Sequence, residues 1–362
     1  MKKFDGYMHG IGIGGWLTNY RRFKFIPREL RTILTEGDIQ HFDTYITQQD
    51  IDAIASWGCD HIRLAFDYLV LEDEENPFVY KEEGFKYLDN CLQWCKQAGI
   101  NLLFDLHKAP GSFCDNADDT TLDNNPQEQE RFVQLWRAMA ERYRGEGDHV
   151  AFELLNEVGF SDHGHWNALA KRAIDGIRGI DAQRKIVVGT NWGNAPEALK
   201  FLEVYDDDNV VYTFHCYAPW EFTHQRAVII PMIASFNRYM DYPGDLKPYY
   251  DYKAFAHEDS GSYDGLERMD RKFLERVLQP AVDFRQQHPD KALCCSEFGV
   301  IRHANMQSRE NYYRDIIAIC DEHGIGHSAW NYLSAPYDAN RFSIVDDWDR
   351  KPLSEELIRI IR

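Results

Sequence analysis

Ala151-Phe152-Glu153-Leu154-Leu155-Asn156-Glu157 is the stretch on which the fold turns. It follows a charged loop, Arg144-Gly145-Glu146-Gly147-Asp148, by way of His149 and Val150, and its apolar residues run almost without interruption. That pattern suits a short strand buried on both faces of a parallel sheet. The run closes on an amide and a carboxylate, followed by Gly159 and a polar loop. A buried strand that ends this way sets an acid at the mouth of a barrel or sheet, where the sites of such folds lie. Alone, Asn156-Glu157 reads as readily as a helix cap or a turn. A second run of the same design changes that reading: Ala292-Leu293-Cys294-Cys295-Ser296-Glu297-Phe298-Gly299 also closes on a glutamate.

Outward from these two runs the chain alternates strand with helix. Residues 7–16 alternate glycine with apolar residues and predict a first strand. Gly10, Gly12 and Gly15 spell G-x-G-x-x-G, but no apolar strand precedes them and no helix pattern follows, so a phosphate loop is rejected. A strand crowded by its neighbours needs small residues equally well. Residues 17–47 read as a basic, aromatic loop over the top of the barrel. Helical spacing then covers 47–57, 82–98, 127–144, 166–180, 195–205, 267–287, 308–323 and 354–361. Strands are expected at 61–66, 101–106, 151–157, 185–191, 209–217, 292–298 and 327–332. The rhythm breaks once. From Tyr217 to Glu297 the chain runs 80 positions, where a strand-helix unit needs roughly half that. Residues 218–265, interrupted by Pro231, Pro243 and Pro248, read as an inserted subdomain over the rim. The expected fold class is α/β: one (β/α)8 TIM barrel over 1–362, with an insertion after strand 6.

Bulk chemistry narrows the partners. Against 40 Lys and Arg stand 59 Asp and Glu, a formal net charge of -19, which disfavours nucleic acid and anionic membrane surfaces and suits a neutral ligand. The 9 Trp and 20 Tyr serve the core first, yet such an excess is also what sugar-stacking platforms leave behind. No apolar run approaches bilayer length, and Asp5 and Gly6 interrupt the N-terminus before a signal's apolar region could develop. A cytoplasmic protein is expected, or a secreted one whose signal has been removed, and a monomer. The 8 cysteines form no C-x-x-C pair and no metal spacing with histidine; those in apolar runs (Cys91, Cys95, Cys216, Cys294, Cys295) are expected to be free, buried thiols.

Polar residues at the expected strand ends form a chemical set: Arg63, His107, Asn156, Glu157, His215, Tyr217, Glu297 and Trp330. They come from six strands, so proximity in sequence does not explain them. Two glutamates held opposite one another are what cleavage of a glycosidic bond requires. A metal-dependent barrel hydrolase would need more than His107 alone on its strand end, since no H-x-H or H-x-x-x-H pair accompanies it. A sugar-binding barrel without chemistry would not need both glutamates. No metal and no cofactor are expected.

At these residues the chain resembles glycoside hydrolase family 5. The motifs are Gly14-Gly15-Trp16, Ile62-Arg63-Leu64, Asp105-Leu106-His107, Leu155-Asn156-Glu157, His215-Cys216-Tyr217, Ser296-Glu297-Phe298-Gly299 and Ala329-Trp330-Asn331-Tyr332, in that order over essentially the whole chain. Within the family it looks most similar to bacterial endo-β-1,4-glucanases without an accessory binding module. The resemblance implies a retaining hydrolysis of β-glucan polysaccharide or oligosaccharide, with Glu297 as nucleophile and Glu157 as general acid/base. Arg63 and Tyr217 would keep Glu297 ionised. Asn156 would bind the sugar 2-hydroxyl, His107 and His215 neighbouring hydroxyls, and Trp330 would floor the cleaved sugar. A β-mannanase or glucomannanase, or an exo-acting β-glucanase, on the same scaffold is the alternative. Trp16, Trp192, Trp220 and Tyr337 are candidate platforms for further sugars.

Overall fold

The expected strands form and close on one another. In the computed structural model, which describes residues 1–113, 120–335 and 338–362, β1 (His9–Leu17), β2 (His61–Asp67), β3 (Asn101–Lys108), β4 (Val150–Glu153), β5 (Lys185–Gly189), β6 (Val210–Cys216), β7 (Ala292–Phe298) and β8 (Gly326–Ala329) make a closed parallel barrel in sequence order. Amphipathic helices cover it, and their ends show local reasons for being where they are. Pro126–Tyr143 starts on an Asn125 cap with proline in its first turn, His163–Arg178 on Asp162, Arg271–Gln287 on Asp270, and Met306–Glu322 on Asn305. Glu82–Ala98 stops at Gly99, whose φ of 75° supplies the left-handed turn. The apolar stripe of each helix packs on the outward faces of the strands, and that layer holds most of the core.

Four expectations change. Residues 17–47 are not a plain loop: they carry helices Tyr20–Phe25 and Glu36–Thr44 and a 3₁₀ turn at Arg28–Leu30. Thr35 and Asp38 cap the second helix reciprocally, a local signal strong enough to wind nine residues. The fifth connection is a six-residue 3₁₀ helix, Pro196–Phe201, rather than a helix over 195–205; it opens on Pro196 and ends because Leu202 is already extended. β4 pairs only through Glu153, so Asn156 and Glu157 lie beyond the ladder. β8 likewise ends at Ala329, before Trp330. The stretch after β6 winds into short helices at Trp220–Thr223, Pro231–Phe236 and Lys247–Ala256. The seven described cysteines are free and buried; Cys114 lies outside the described residues.

Inside the barrel the layers differ in character. The lower one is apolar, with Phe4, Tyr7, Leu103, Ala151, Val187, Val211, Ala292 and Cys294 packed together. Above it stand Arg63, Asp105, Glu153, Thr213 and Ser296, all essentially buried. β1 contributes almost no side-chain volume here. A Cβ on Gly10 would overlap the His61 ring, and one on Gly12 or Gly14 would overlap the Trp330 indole. These glycines are the crowded-strand residues, and the space they leave is filled from β2 and from beyond β8.

Candidate active site

The opening stretch leaves its ladder in a controlled way. Past Glu153, the Leu154 N–H donates to the Val187 carbonyl and the Asn156 N–H to that of Leu106, so the segment still bridges β3 and β5. The Trp136 indole donates to the Leu154 carbonyl at 3.0 Å. Glu157 has a φ of 45°, a left-handed conformation uncommon for a residue with a side chain and frequent at functional sites. Asn191 pins the chain just beyond, accepting from the Phe160 N–H and donating to the Phe160 carbonyl, both at 2.8 Å.

Arg63 is the hub. Its Nε and Nη2 donate to the two oxygens of Glu153 at 2.7 and 2.9 Å, its Nη1 to Glu297 Oε1 at 2.5 Å, and its Nη2 also to Asn156 Oδ1 at 2.9 Å. Asp105 Oδ2 stands 3.1 Å from the same Nη2. A buried guanidinium is tolerable only when its donors are met by acceptors, and here three carboxylates meet them. An arginine only donates, so the Asn156 atom facing it must be the oxygen, which turns the Asn156 amide NH₂ toward the cleft. That NH₂ lies 3.4 Å from His107 Nε2, while His107 Nδ1 bonds Asp105 at 2.7 Å. Burial, with Lys108 adding to it, pushes the His107 imidazole down to about 3, so the ring is neutral. Burial also raises the Asp105 carboxyl to about 7 against the pull of Arg63.

Glu297 sits at the opposite wall. Burial would raise its carboxyl, but His215, Arg63 and the Tyr217 hydroxyl, which donates to Oε2 at 2.8 Å, together hold it well below the usual carboxylate range. His215 turns Nδ1 toward both glutamates, 3.1 Å from Glu157 Oε1 and 3.8 Å from Glu297 Oε2. Burial opposes a charge on His215, yet the two carboxylates outweigh it and raise its pKa. Behind it a chain of hydroxyls carries the interaction inward: Ser296 Oγ lies 3.2 Å from His215 Nε2 and 3.0 Å from Glu153 Oε1, and accepts from Thr213 Oγ1 at 2.7 Å. One oxygen of each glutamate and the His215 nitrogen all lie within 4.8 Å of one another. The Glu157 side chain is 26% exposed and that of Glu297 5%.

A cleft of about 530 Å³ opens over this set and is bordered by His107, Asn156, Glu157, Tyr217, Glu297 and Trp330. Trp330 lies parallel to His107, ring centres 5.4 Å apart, and its peptide to Asn331 is cis. Of the further platforms, Trp220 borders the cleft and is about half exposed. Trp192 is exposed but packs on His163 and Phe201, away from the cleft lining. Trp16 is a correction: it is buried against Trp94 and donates to the Phe42 carbonyl at 2.8 Å. Tyr337 lies outside the described residues. Asp105 and Ser296 stand in the motifs without a role, and Glu153 and Asn194 lie outside the expected set; Asn194 has its amide 3.0 Å from His215 Nε2. Period-two spacing back from the strand ends, Glu153 below Leu155 and Asp105 below His107, was the available signal. Two sets, Asp105-His107-Glu297 and Glu157-His215-Glu297, are close enough to share a cation. A cation at either place would meet the field of the Arg63 guanidinium, bound directly to Glu297.

An eight-stranded barrel with two unequal carboxylates facing across an aromatic-floored cleft defines a glycoside hydrolase of the two-carboxylate kind. The cellulase family, glycosyl hydrolase family 5, matches residues 27–335, and the chain belongs to it. It is 38% identical over 356 residues to Endoglucanase C of Acetivibrio thermocellus, covering 97% of each. It is 31% identical over 331 residues to Cellodextrinase A of Ruminococcus flavefaciens, covering 90% of this chain and 85% of that one. Among solved structures, Thermotoga maritima Cel5A in complex with cellobiose shares the fold with a TM-score of 0.74 at 22% identity, over 100% of both chains. Among the described residues no helix is long and apolar enough to cross a membrane.

Proposed function

We propose that this enzyme hydrolyses β-1,4-glucosidic linkages with retention of configuration, in cellulose-type or mixed-linkage β-glucans and their oligosaccharides. The observation that carries the reading is the contrast between two carboxylates whose oxygens approach within 4.8 Å. Retaining enzymes hold their carboxyls about 5–5.5 Å apart, whereas inverting ones need about 6.5–9.5 Å to admit a water. Glu297, buried, ionised and gripped by Arg63 and Tyr217, is the nucleophile. Glu157, more exposed and beside His215, is the general acid/base.

In the first step Glu297 attacks the anomeric carbon as Glu157 gives its proton to the leaving oxygen; the glycosidic C–O bond breaks and a glycosyl ester forms. In the second, Glu157 takes a proton from water, whose oxygen displaces Glu297 and restores it. The Asn156 NH₂ binds the 2-hydroxyl, a contact that strengthens as the ring approaches its oxocarbenium-like transition state. His107, neutral, and Trp330, parallel to it, hold the sugar from the side and below. Residues 218–265 act as an inserted subdomain that shapes binding away from the cleavage point; Trp220, Val228 and Ile229 in the cleft wall support this. The names of the two relatives, an endoglucanase and a cellodextrinase, support glucan polymers and short cellodextrins as substrates. A side-by-side product profile on cello-oligosaccharides, mixed-linkage β-glucan and mannan tests the proposal. Cleavage of the glucans with retained configuration is expected, and preferential cleavage of mannan overturns the sugar assignment.

A further inference from the structure

At the opposite end of the barrel from the cleft, β1 and β8 meet through three residue pairs, His9↔His327, Gly10↔Ser328 and Ile11↔Ala329. This seam joins the first strand to the last. Its outermost pair is two histidines, whose rings meet edge to face with centres 4.9 Å apart. Asp321, in the last turn of the helix Met306–Glu322, completes a group in which one ligand atom of each residue lies within 4.8 Å of the others.

The histidines are left in an unusual condition. His327 is fully buried, yet neither of its ring nitrogens has a hydrogen-bond partner, and His9 Nδ1 is likewise buried without one. Buried polar atoms are normally paired, and each exception calls for an explanation. The same floor does satisfy a histidine next door: His61 bonds Asp60 at 2.8 Å and Ser328 Oγ at 2.7 Å. We propose that His9, His327 and Asp321 form a binding site for a divalent transition-metal ion of the zinc class, which clamps the β1–β8 seam to the end of the preceding helix. Two imidazoles and one carboxylate are the ligand types zinc takes, with water completing a tetrahedron. Coordination needs the three ligand atoms about 3.3–3.5 Å apart, a spacing implied by bonds of about 2.0–2.2 Å. The exposed Asp321 is the group free to close that distance. Lys3 acts on the same carboxylate from the N-terminal segment and is itself exposed, so a cation competes with it for Asp321. The site lies on the face of the barrel where side chains serve stability rather than chemistry, and the glycosidic reaction has no use for it.

The test is thermal unfolding of the metal-stripped enzyme titrated with Zn²⁺, beside the surface variant Asp321→Asn and a second variant, His9→Gln. With free Zn²⁺ at a hundred times its Kd, the melting temperature of the native chain should rise by about 3–4 °C, from the linkage relation and the size of the unfolding entropy. At the same free Zn²⁺ both variants should bind at least ten-fold more weakly and lose about half of that rise or more. X-ray absorption at the zinc edge should show nitrogen and oxygen ligands with two imidazoles. No rise in the native chain, or an equal rise in both variants, overturns the site.

Discussion

The ends of β4 and β7 both present a glutamate to the same cleft, and they do so by opposite means. Glu297 belongs to its strand; its backbone is fixed by the barrel, and its two oxygens are taken by Arg63 and Tyr217. Glu157 lies four residues beyond the last paired residue of its strand, in a left-handed conformation, with His215 beside it and part of its side chain open to solvent. Under the proposed mechanism, the difference teaches how one barrel can give two chemically identical groups separate tasks. A group that must attack one atom from one direction gains from being over-determined, whereas a group that passes protons to a leaving group and then to water must be reachable from the cleft.

The comparison breaks first at Glu297. Glu297→Gln keeps shape and hydrogen-bonding size but cannot form the ester, so turnover should fall by at least about four orders of magnitude, roughly 5 kcal/mol, while oligosaccharide binding survives. Peptide mapping after a 2-deoxy-2-fluoro glycoside inactivator should find the label on Glu297; a label elsewhere ends the assignment. Glu157→Ala should cost about two to four orders of magnitude on natural substrates. Azide should then restore turnover of aryl glycosides with good leaving groups and give a glycosyl azide of retained configuration; an inverted product would exchange the two roles.

Tyr217→Phe sharpens the contrast more gently. The lost hydroxyl helps hold the Glu297 carboxyl down, so its pKa should rise, and the acid limb of kcat/KM, where Glu297 must be ionised, should move to higher pH. A drop of about ten-fold to a hundred-fold in kcat is expected for one donor to a developing charge; an unmoved acid limb would show that Arg63 and His215 suffice. The smallest effect lies farthest from both carboxylates. Shortening 218–265 should raise KM on long polymers several-fold and spare small aryl glycosides; equal loss on both would assign the segment to the support of the barrel.

Much of this contrast was legible in the sequence, because it rests on runs whose apolar continuity and length speak for themselves. The barrel, the order of its strands and the eight residues that meet at its mouth all followed from buried runs closing on polar groups. What stayed hidden depended on turns. Gly15, with a φ of 75°, and the register shift between Ile13 and Leu17 break the alternation of β1. A count of every second residue carries Trp16 into the cleft; the shift turns it out against Trp94. Glu153 stands inside an otherwise apolar run; spacing can place it inward, but nothing local reveals that Arg63, 90 positions away, supplies its partner. The helix Glu36–Thr44 was missed for the opposite reason: its cap, Thr35 with Asp38, was present but stood in a segment read for composition alone.

Gly12 and Gly14 carry one more consequence, which concerns engineering. Replacing glycine by alanine where the backbone conformation accepts it without strain stabilises a protein by about 0.4–1 kcal/mol, because the unfolded chain loses conformational freedom. On β1 the same change would put a methyl group inside the volume of the Trp330 indole. Gly12→Ala would therefore be felt as a tilted aromatic floor, seen as weaker sugar binding and quenched or shifted tryptophan fluorescence, more than as lost folding. Residues with no side chain at all thus fix where the Trp330 indole can lie, and a thermostabilising library built on glycine replacement should leave this strand untouched.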